Sequence, residues 1–263
     1  MALRATAPVA SGSFTVVQFG HLARRAALRT LRQPTIMLPN IGFPLIFFGV
    51  LAGGVPGFPT DSYTDFAFTA PFIQGILLSA IITSTLLARD IEMGFLDRLL
   101  LTPVRSVGIL VGHLAGAASL AFCQSTIFIV IGLIVGVHFE AGIAGMALIV
   151  LFVVLVTMGF GGIGVFVALR TGSSEAVQGL FPILFALMFL SSLTLPRELI
   201  GVDWFRTVAT INPVSYLIEG IRSLIIEGWD AAALARGFAV VAGLLVLGMG
   251  GATLGLRARV VRT

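Results

Sequence analysis

Lysine is missing from this sequence altogether: all 16 basic residues are arginine. A phosphate-binding P-loop needs a lysine to reach the terminal phosphates, so no such loop is expected in this chain. Schiff-base chemistry, which needs the same amine, is excluded with it. Cysteine is nearly absent. Its one copy, Cys123, lies inside an apolar run and can form neither an internal disulfide nor a cysteine-cluster metal site. Charge of either sign is scarce, at 11% of residues, whereas a soluble domain of this length needs far more to cover its surface. The three histidines, His21, His113 and His138, make no HExxH pair, and no G-x-S-x-G elbow occurs. An intramembrane hydrolase is therefore not expected. Residues 1–12 are weakly charged and no cleavable apolar core follows them. No signal peptide is expected, and these residues should be disordered.

Hydrophobic residues take up the room that charge leaves, at 57% of 263 residues and a mean hydropathy of +1.07. The class this implies is an all-α integral membrane protein. Six apolar runs reach roughly 20 residues, enough for a hydrocarbon core of about 30 Å. They lie near 37–55, 66–88, 107–137, 142–169, 176–195 and 237–256. The third and fourth exceed the need, so tilt is expected.

Arginine placement orients these runs. With the N-terminus inside, the inner segments hold Arg4, Arg24, Arg25, Arg29 and Arg32, then Arg89, Arg98 and Arg105, then Arg170, then Arg257, Arg259 and Arg262. The outer segments hold Arg197, Arg206, Arg222 and Arg236. This threefold inner excess predicts that both termini are cytoplasmic. The net charge of +4 fits arginine-rich edges against an anionic membrane surface rather than nucleic acid.

Three segments are neither span nor simple loop. In "SFTVVQFGHLARRAALRTLRQP" (13–34), Arg25, Arg29 and Arg32 fall within a helical band of about 60°. Val16, Ala23, Ala27 and Leu31 lie opposite, which predicts a helix floating in the cytoplasmic interface beside membrane lipid. "RDIEMGFLDRLLLTPVRS" (89–106) reads as an inner helix with Ile91, Phe95, Leu96, Leu99 and Leu100 on one half of the wheel. Asp90 and Asp97 sit on the other half, yet Glu92 falls inside the apolar arc. An apolar ridge with an embedded carboxylate suits a groove on a protein partner better than it suits lipid. In "INPVSYLIEGIRSLIIEG", Asn212 is a good N-cap and Pro213 a good first residue. Val214, Leu217, Ile218, Ile221, Leu224 and Ile225 then recur at helical spacing, with Glu219 and Arg222 as i, i+3 partners. From Pro213 to Glu227 such a helix reaches about 22 Å, too short to cross, so one that dips into the outer leaflet and returns is expected within 196–235.

The stretch 89–106 resembles the loop after the second span in ABC-2 type transporter permeases, on Asp90, Glu92, Gly94, Leu96, Leu99, Leu100 and Pro103. Arg105 begins the return to the membrane. Phe95 stands where the family usually has a small hydroxyl residue, and Ile91 where it has a charge. "LTLPRELIGVDWFRTVATINPVSYLIEGIR" is similar to the family's outer segment, on Pro196, Trp204, Asn212, Pro213, Tyr216, Glu219 and Arg222. The resemblance covers the whole chain as one transmembrane domain. Within the family it is nearest the small permeases of daunorubicin-resistance-type and nodulation-type exporters. It implies six transmembrane helices, a coupling helix at 89–106 seated in a cleft of a separate ATP-binding subunit, and a re-entrant pair at 196–235. It further implies two ATP-binding subunits per complex, which would carry the ATP and magnesium; no cofactor is expected in this chain. A second permease chain, identical or related, would complete the pathway in a bacterial cytoplasmic membrane, with the first and fifth spans as the expected contact.

Gln74, Ser79, Thr83 and Ser84 are polar positions inside the second span and form a candidate pathway wall; helix–helix hydrogen bonding explains them as well. The ionisable side chains in the runs are His113 and Cys123, so an ion-coupled carrier is the weaker expectation. A non-transporting scaffold is a further alternative. An amphipathic drug or lipid-like cargo fits walls without fixed charge, and a lipid-linked saccharide is its rival. Glycines four apart, such as Gly112/Gly116, Gly132/Gly136 and Gly251/Gly255, read as close helix packing.

Overall fold

The computed structural model describes residues 34–53, 60–94 and 106–260. Among them there are helices and short connections and no strand. Segment 1–33, which holds the expected disordered start and interfacial helix, lies outside them. In chain order the helices are α1 Pro34–Gly53, α2 Thr60–Ala67, α3 Thr69–Glu92, α4 Ser106–Val135, α5 Gly142–Thr171, α6 Ser174–Gln178 and α7 Leu180–Phe189. A 3-10 turn Arg197–Leu199 follows, then α8 Asp203–Ile211, α9 Pro213–Arg222, a π-type turn Ser223–Glu227 and α10 Ala231–Val260.

Four helical stretches are long and apolar enough to cross a membrane: Tyr63–Glu92, Gly112–Val135, Gly142–Thr171 and Ala231–Arg259. They correspond to the second, third, fourth and sixth expected runs, the third being shorter than expected at both ends. The first and fifth coincide with shorter apolar helices, Met37–Gly53 and Ser174–Phe189. The fifth is about 24 Å long, short of a core of about 30 Å, whereas α1 with its 20 residues reaches about 30 Å. The fifth stops at Phe189 rather than near 195 because the chain turns there. Leu190 N–H still bonds Ala186 O, but Ser191 Oγ folds back onto Met188 O.

The central helix is α5, which packs on α3, α4 and α10, while α9 lies on α10 and α1 on α3. Its contact with α10 is backbone on backbone. A Cβ on Gly248 would fall 2.2 Å from Gly159 O, and one on Gly162 would fall 2.6 Å from Gly248 C. Small residues permit this approach where hydrocarbon supplies no hydrophobic drive between helices. Gly251 and Gly255 also meet α5, at 3.4 Å from Phe166 and 3.3 Å from Leu169 for an added Cβ, whereas one on Gly112 would meet nothing within 4 Å.

Two apolar cores stack along the bundle. In the larger, Phe68, Phe72, Phe128 and Phe152 are fully buried. Phe68 meets Phe48, Phe72 and Phe139 edge to face, with ring centroids 5.0, 5.6 and 6.2 Å apart, the arrangement that ring quadrupoles favour. The smaller core gathers Leu87, Ile91, Leu110, Leu114, Leu169, Val177 and Leu256 at the other end.

Candidate functional site

At the end of α3 the first candidate residues come into place. Arg89, Asp90, Ile91 and Glu92 form the last turn of this long helix, not the start of a separate one, because nothing before Met93 interrupts the backbone ladder. Met93 N–H bonds Arg89 O at 3.0 Å and Gly94 N–H bonds Ile91 O at 3.0 Å. Gly94 then turns the chain at φ +66, where a side chain would be strained. Ile91 is buried in the smaller core. The Glu92 carboxylate is exposed yet occupied: Oε1 accepts Ser174 N–H at 2.5 Å and Oε2 accepts the Ser174 hydroxyl at 3.2 Å. Ser173 Oγ accepts Ala176 N–H at 3.3 Å. Together they satisfy two amides of the first turn of α6, which a helix start leaves open. Glu92 thus ties α3 to the start of the α6–α7 run. Leu96, Leu99, Leu100, Pro103 and Arg105 lie outside the described residues.

The opposite end carries a second group. Asn212 caps α9, its Oδ1 accepting Val214 N–H at 2.9 Å with Pro213 in the first helical position. Its Nδ2 donates to Leu187 O at 2.6 Å and Leu190 O at 2.9 Å, closing carbonyls that the end of α7 leaves open. Tyr216 donates its hydroxyl to Thr210 O at 2.7 Å. Glu219 pairs with Arg197 and accepts from Ser192 Oγ at 3.3 Å. The Arg197 guanidinium also lies 4.7 Å from the centroid of the Tyr216 ring. Burial works against its charge, but the bond to Glu219 and their attraction outweigh this and hold its pKa above the ordinary value. Arg222 donates to Leu193 O at 3.0 Å and lies 3.6 Å over the Phe66 ring of α2. Asn212, Tyr216, Glu219 and Arg222 thus converge on segment 187–197. Pro196 opens its 3-10 turn, and Trp204 stands apart, 64% exposed. Ser192, Arg197 and Phe66 were not singled out from the sequence. Arg197 lies 22 residues before Glu219, beyond the reach of helical spacing. The apolar side of α9 and of the π-type turn after it is covered by protein: Val214, Leu217, Ile218, Ile221, Leu224 and Ile225 are all buried.

Inside the bundle, the four candidate pathway residues of α3, Gln74, Ser79, Thr83 and Ser84, are buried. Ser84 Oγ donates to Ala80 O at 2.7 Å and lies 3.2 Å from Gly161 O of α5. Thr83 Oγ1 donates to Ser79 O at 2.7 Å, and Thr83 O meets His113 Nε2 of α4 at 2.7 Å. Gln74 is 1% exposed and, among the described residues, its amide has no hydrogen-bond partner. Ser79 belongs to a joint that sequence reasoning missed. Pro44 has no N–H, so the α1 carbonyl one turn earlier, Asn40 O, loses its helical donor. Gln124 of α4 supplies one, its Nε2 donating to Asn40 O at 3.0 Å. Gln124 Oε1 in turn accepts Asn40 Nδ2 at 2.9 Å and Ser79 Oγ at 2.7 Å. Room for the amide comes from Gly75, where a Cβ would fall 2.0 Å from Nε2. The sequence holds one hint of this joint, an asparagine four residues before a helical proline.

Among the described residues no cluster of three His, Cys, Asp or Glu is placed to hold a metal ion. The arrangement is one of mechanical ties between helices. The family model for ABC-2 type transporters matches residues 17–226, which takes in both tied ends. The chain is similar to the protein described as transport permease ycf38 of Cyanophora paradoxa, 25% identical over 219 residues, 80% of this chain and 75% of that protein. The ycf38 protein of Porphyra purpurea is 25% identical over 217 residues, with the same shares. YbhR of Escherichia coli (strain K12), described as a multidrug ABC transporter permease, is 28% identical over 149 residues, 56% of this chain and 39% of YbhR. On that match and on long apolar helices able to cross a bilayer, the chain belongs to the ABC-2 type transporter family and is a membrane subunit of an ABC transporter.

Proposed function

We propose that this subunit forms half of the substrate pathway of an ATP-driven exporter in a bacterial cytoplasmic membrane. Six spans cross the bilayer in this reading, with both termini cytoplasmic; α1 and the shorter α6–α7 run complete the count, the latter by local thinning of the bilayer. Two copies of an ATP-binding subunit hold the nucleotide and magnesium, and the second permease is this chain again or a relative. The segment from Asp90 to Arg105, with Glu92, Gly94, Leu96, Leu99, Leu100 and Pro103, meets the ATP-binding subunit. Segment 196–235 forms the outer re-entrant part, and the cargo is an amphipathic drug or lipid-like molecule.

The observation that carries the mechanism is the bond from Glu92 to Ser174. A load applied to the residues after Gly94 reaches α3 through the backbone and α6–α7 through that carboxylate. Nucleotide-driven docking can then bias two apolar helices together, as a two-state transporter requires. The test is co-expression with a candidate ATP-binding subunit from the same genome. Glu92→Ala and Gly94→Pro should insert and co-purify with the ATPase, yet hydrolyse ATP without moving an amphipathic dye. Normal transport by both variants would refute the docking role.

A further inference from the structure

The exposed part of the outer segment lies in α8, not in the covered helix α9. One flank of the apolar arc of α8 seats on protein, with Ala209 buried and Phe205 half-buried. The other flank is open: Trp204 is 64% exposed and Ile211 76%, and Val202 just ahead of the helix is 52% exposed. The remaining face is polar, and its hydroxyls bond back onto the helix. Thr207 Oγ1 donates to Asp203 O at 2.9 Å and Thr210 Oγ1 to Arg206 O at 2.8 Å. The Arg206 guanidinium donates to Ile200 O, from Nε at 2.9 Å and Nη2 at 2.6 Å. Facing outward are the Arg206 side chain, 47% exposed with its Nη1 3.8 Å from Asp203 Oδ1, and the Asp203 carboxylate, 96% exposed, at the first residue of the helix.

We infer that the Trp204–Ile211 edge of α8 is a lipid-contact surface that takes the headgroup boundary and upper acyl chains of zwitterionic phospholipid. Hydroxyls that satisfy their own helix carbonyls leave little polar demand, so the helix tolerates an apolar medium along its length. Asp203 followed by Trp204 marks the level where water gives way to lipid, since an indole prefers that boundary. Depth follows from α9 and α10. A Cβ on Gly237, in the second turn of α10, would lie 3.2 Å from Tyr216 O, and Tyr216 holds Thr210 O of α8. The Ile211 end is therefore level with the membrane-crossing part of α10 rather than beyond it. Asp203 and Arg206 balance in charge, so nothing here selects anionic headgroups.

The chain has two tryptophans, which makes the test direct. Trp229, 57% exposed, stands just ahead of α10 and serves as the control. Full-length Trp229→Phe, with Trp204 as sole emitter, is reconstituted in phosphatidylcholine vesicles with and without bromine on the upper acyl chain. The expected result is blue-shifted emission that loses most of its intensity to brominated lipid, little to aqueous iodide, and does not change when anionic lipid is added. Quenching by iodide and not by bromine overturns the inference in favour of water. Quenching by neither overturns it in favour of protein cover, including a second copy of this chain. In Trp204→Phe, failure of brominated lipid to quench Trp229 too would sink the membrane placement itself, a separate result. Should Trp229→Phe not insert, a spin label at Ile211→Cys in a Cys123→Ala background reports the same edge. Collisions with oxygen exceeding those with a water-soluble nickel chelate are expected, and the reverse refutes.

Discussion

Replacing Gln124 with leucine should destabilise the bundle, and should do so less when Pro44 is replaced as well. The side chain makes three hydrogen bonds, to Asn40 O and from Asn40 Nδ2 and Ser79 Oγ. Interhelical bonds of this kind contribute about 0.6 kcal/mol each on average and up to about 1.7 kcal/mol. Gln124→Leu should therefore cost about 2 kcal/mol. One of the three is a substitute for a backbone donor that Pro44 removes. In Pro44→Ala the residue-44 N–H returns one turn from Asn40 O and can bond it in the ordinary i to i−4 way. The cost of Gln124→Leu in that background should fall by about 0.6 kcal/mol, and at most by about 1.7 kcal/mol. The assay is a double-mutant cycle on equilibrium unfolding in mixed micelles, which subtracts whatever Pro44→Ala does alone. Additivity within about 0.3 kcal/mol would refute the assignment, because independent sites add to that precision.

Three further outcomes follow from the same structure. Gly248→Ala places a methyl 2.2 Å from the backbone of α5 and should cost about 1–3 kcal/mol by forcing the helices apart. Gly243→Ala on the same helix, where a Cβ meets nothing within 4 Å, should be neutral or stabilising by about 0.5 kcal/mol in thermal unfolding; equal effects would contradict the packing. Glu219→Ala leaves the Arg197 guanidinium, 14% exposed, without its carboxylate, at a cost of about 1–3 kcal/mol. Removing both charges by Arg197→Met and Glu219→Leu should cost less than the two single changes summed. Gly94→Ala should cost about 1 kcal/mol, because φ is +66 and nothing crowds the site. Gly94→Asn should cost less, and a reversed order in thermal unfolding would rule out the conformational reason.

How far the sequence reaches can be judged at particular residues. About 20 residues that are mostly apolar and carry almost no charge admit few conformations but a helix in a bilayer, so the four long helices were legible, and their observed ends differ from the expected runs by a few residues. The Asn212–Pro213 start of α9 was legible because capping is chemistry between neighbours. The partner of Glu219 was not. Helical spacing offered Arg222, but the structure turns segment 190–197 alongside α9, and Arg197 reaches the carboxylate. Glu92 looked like an acid set in an outward ridge, and the structure spends its oxygens on Ser174, 82 residues away.

What the sequence by itself determined is the class of the molecule and the positions of its helices: a lysine-free, charge-poor chain whose polar backbone must close within each segment. The tertiary structure alone decided which helices share hydrogen bonds and where glycine lets two backbones touch. Local periodicity records what a residue does to its own turn. The Asn40–Gln124 joint, spanning 84 residues, exists because packing brings an orphaned carbonyl and a spare amide to one place.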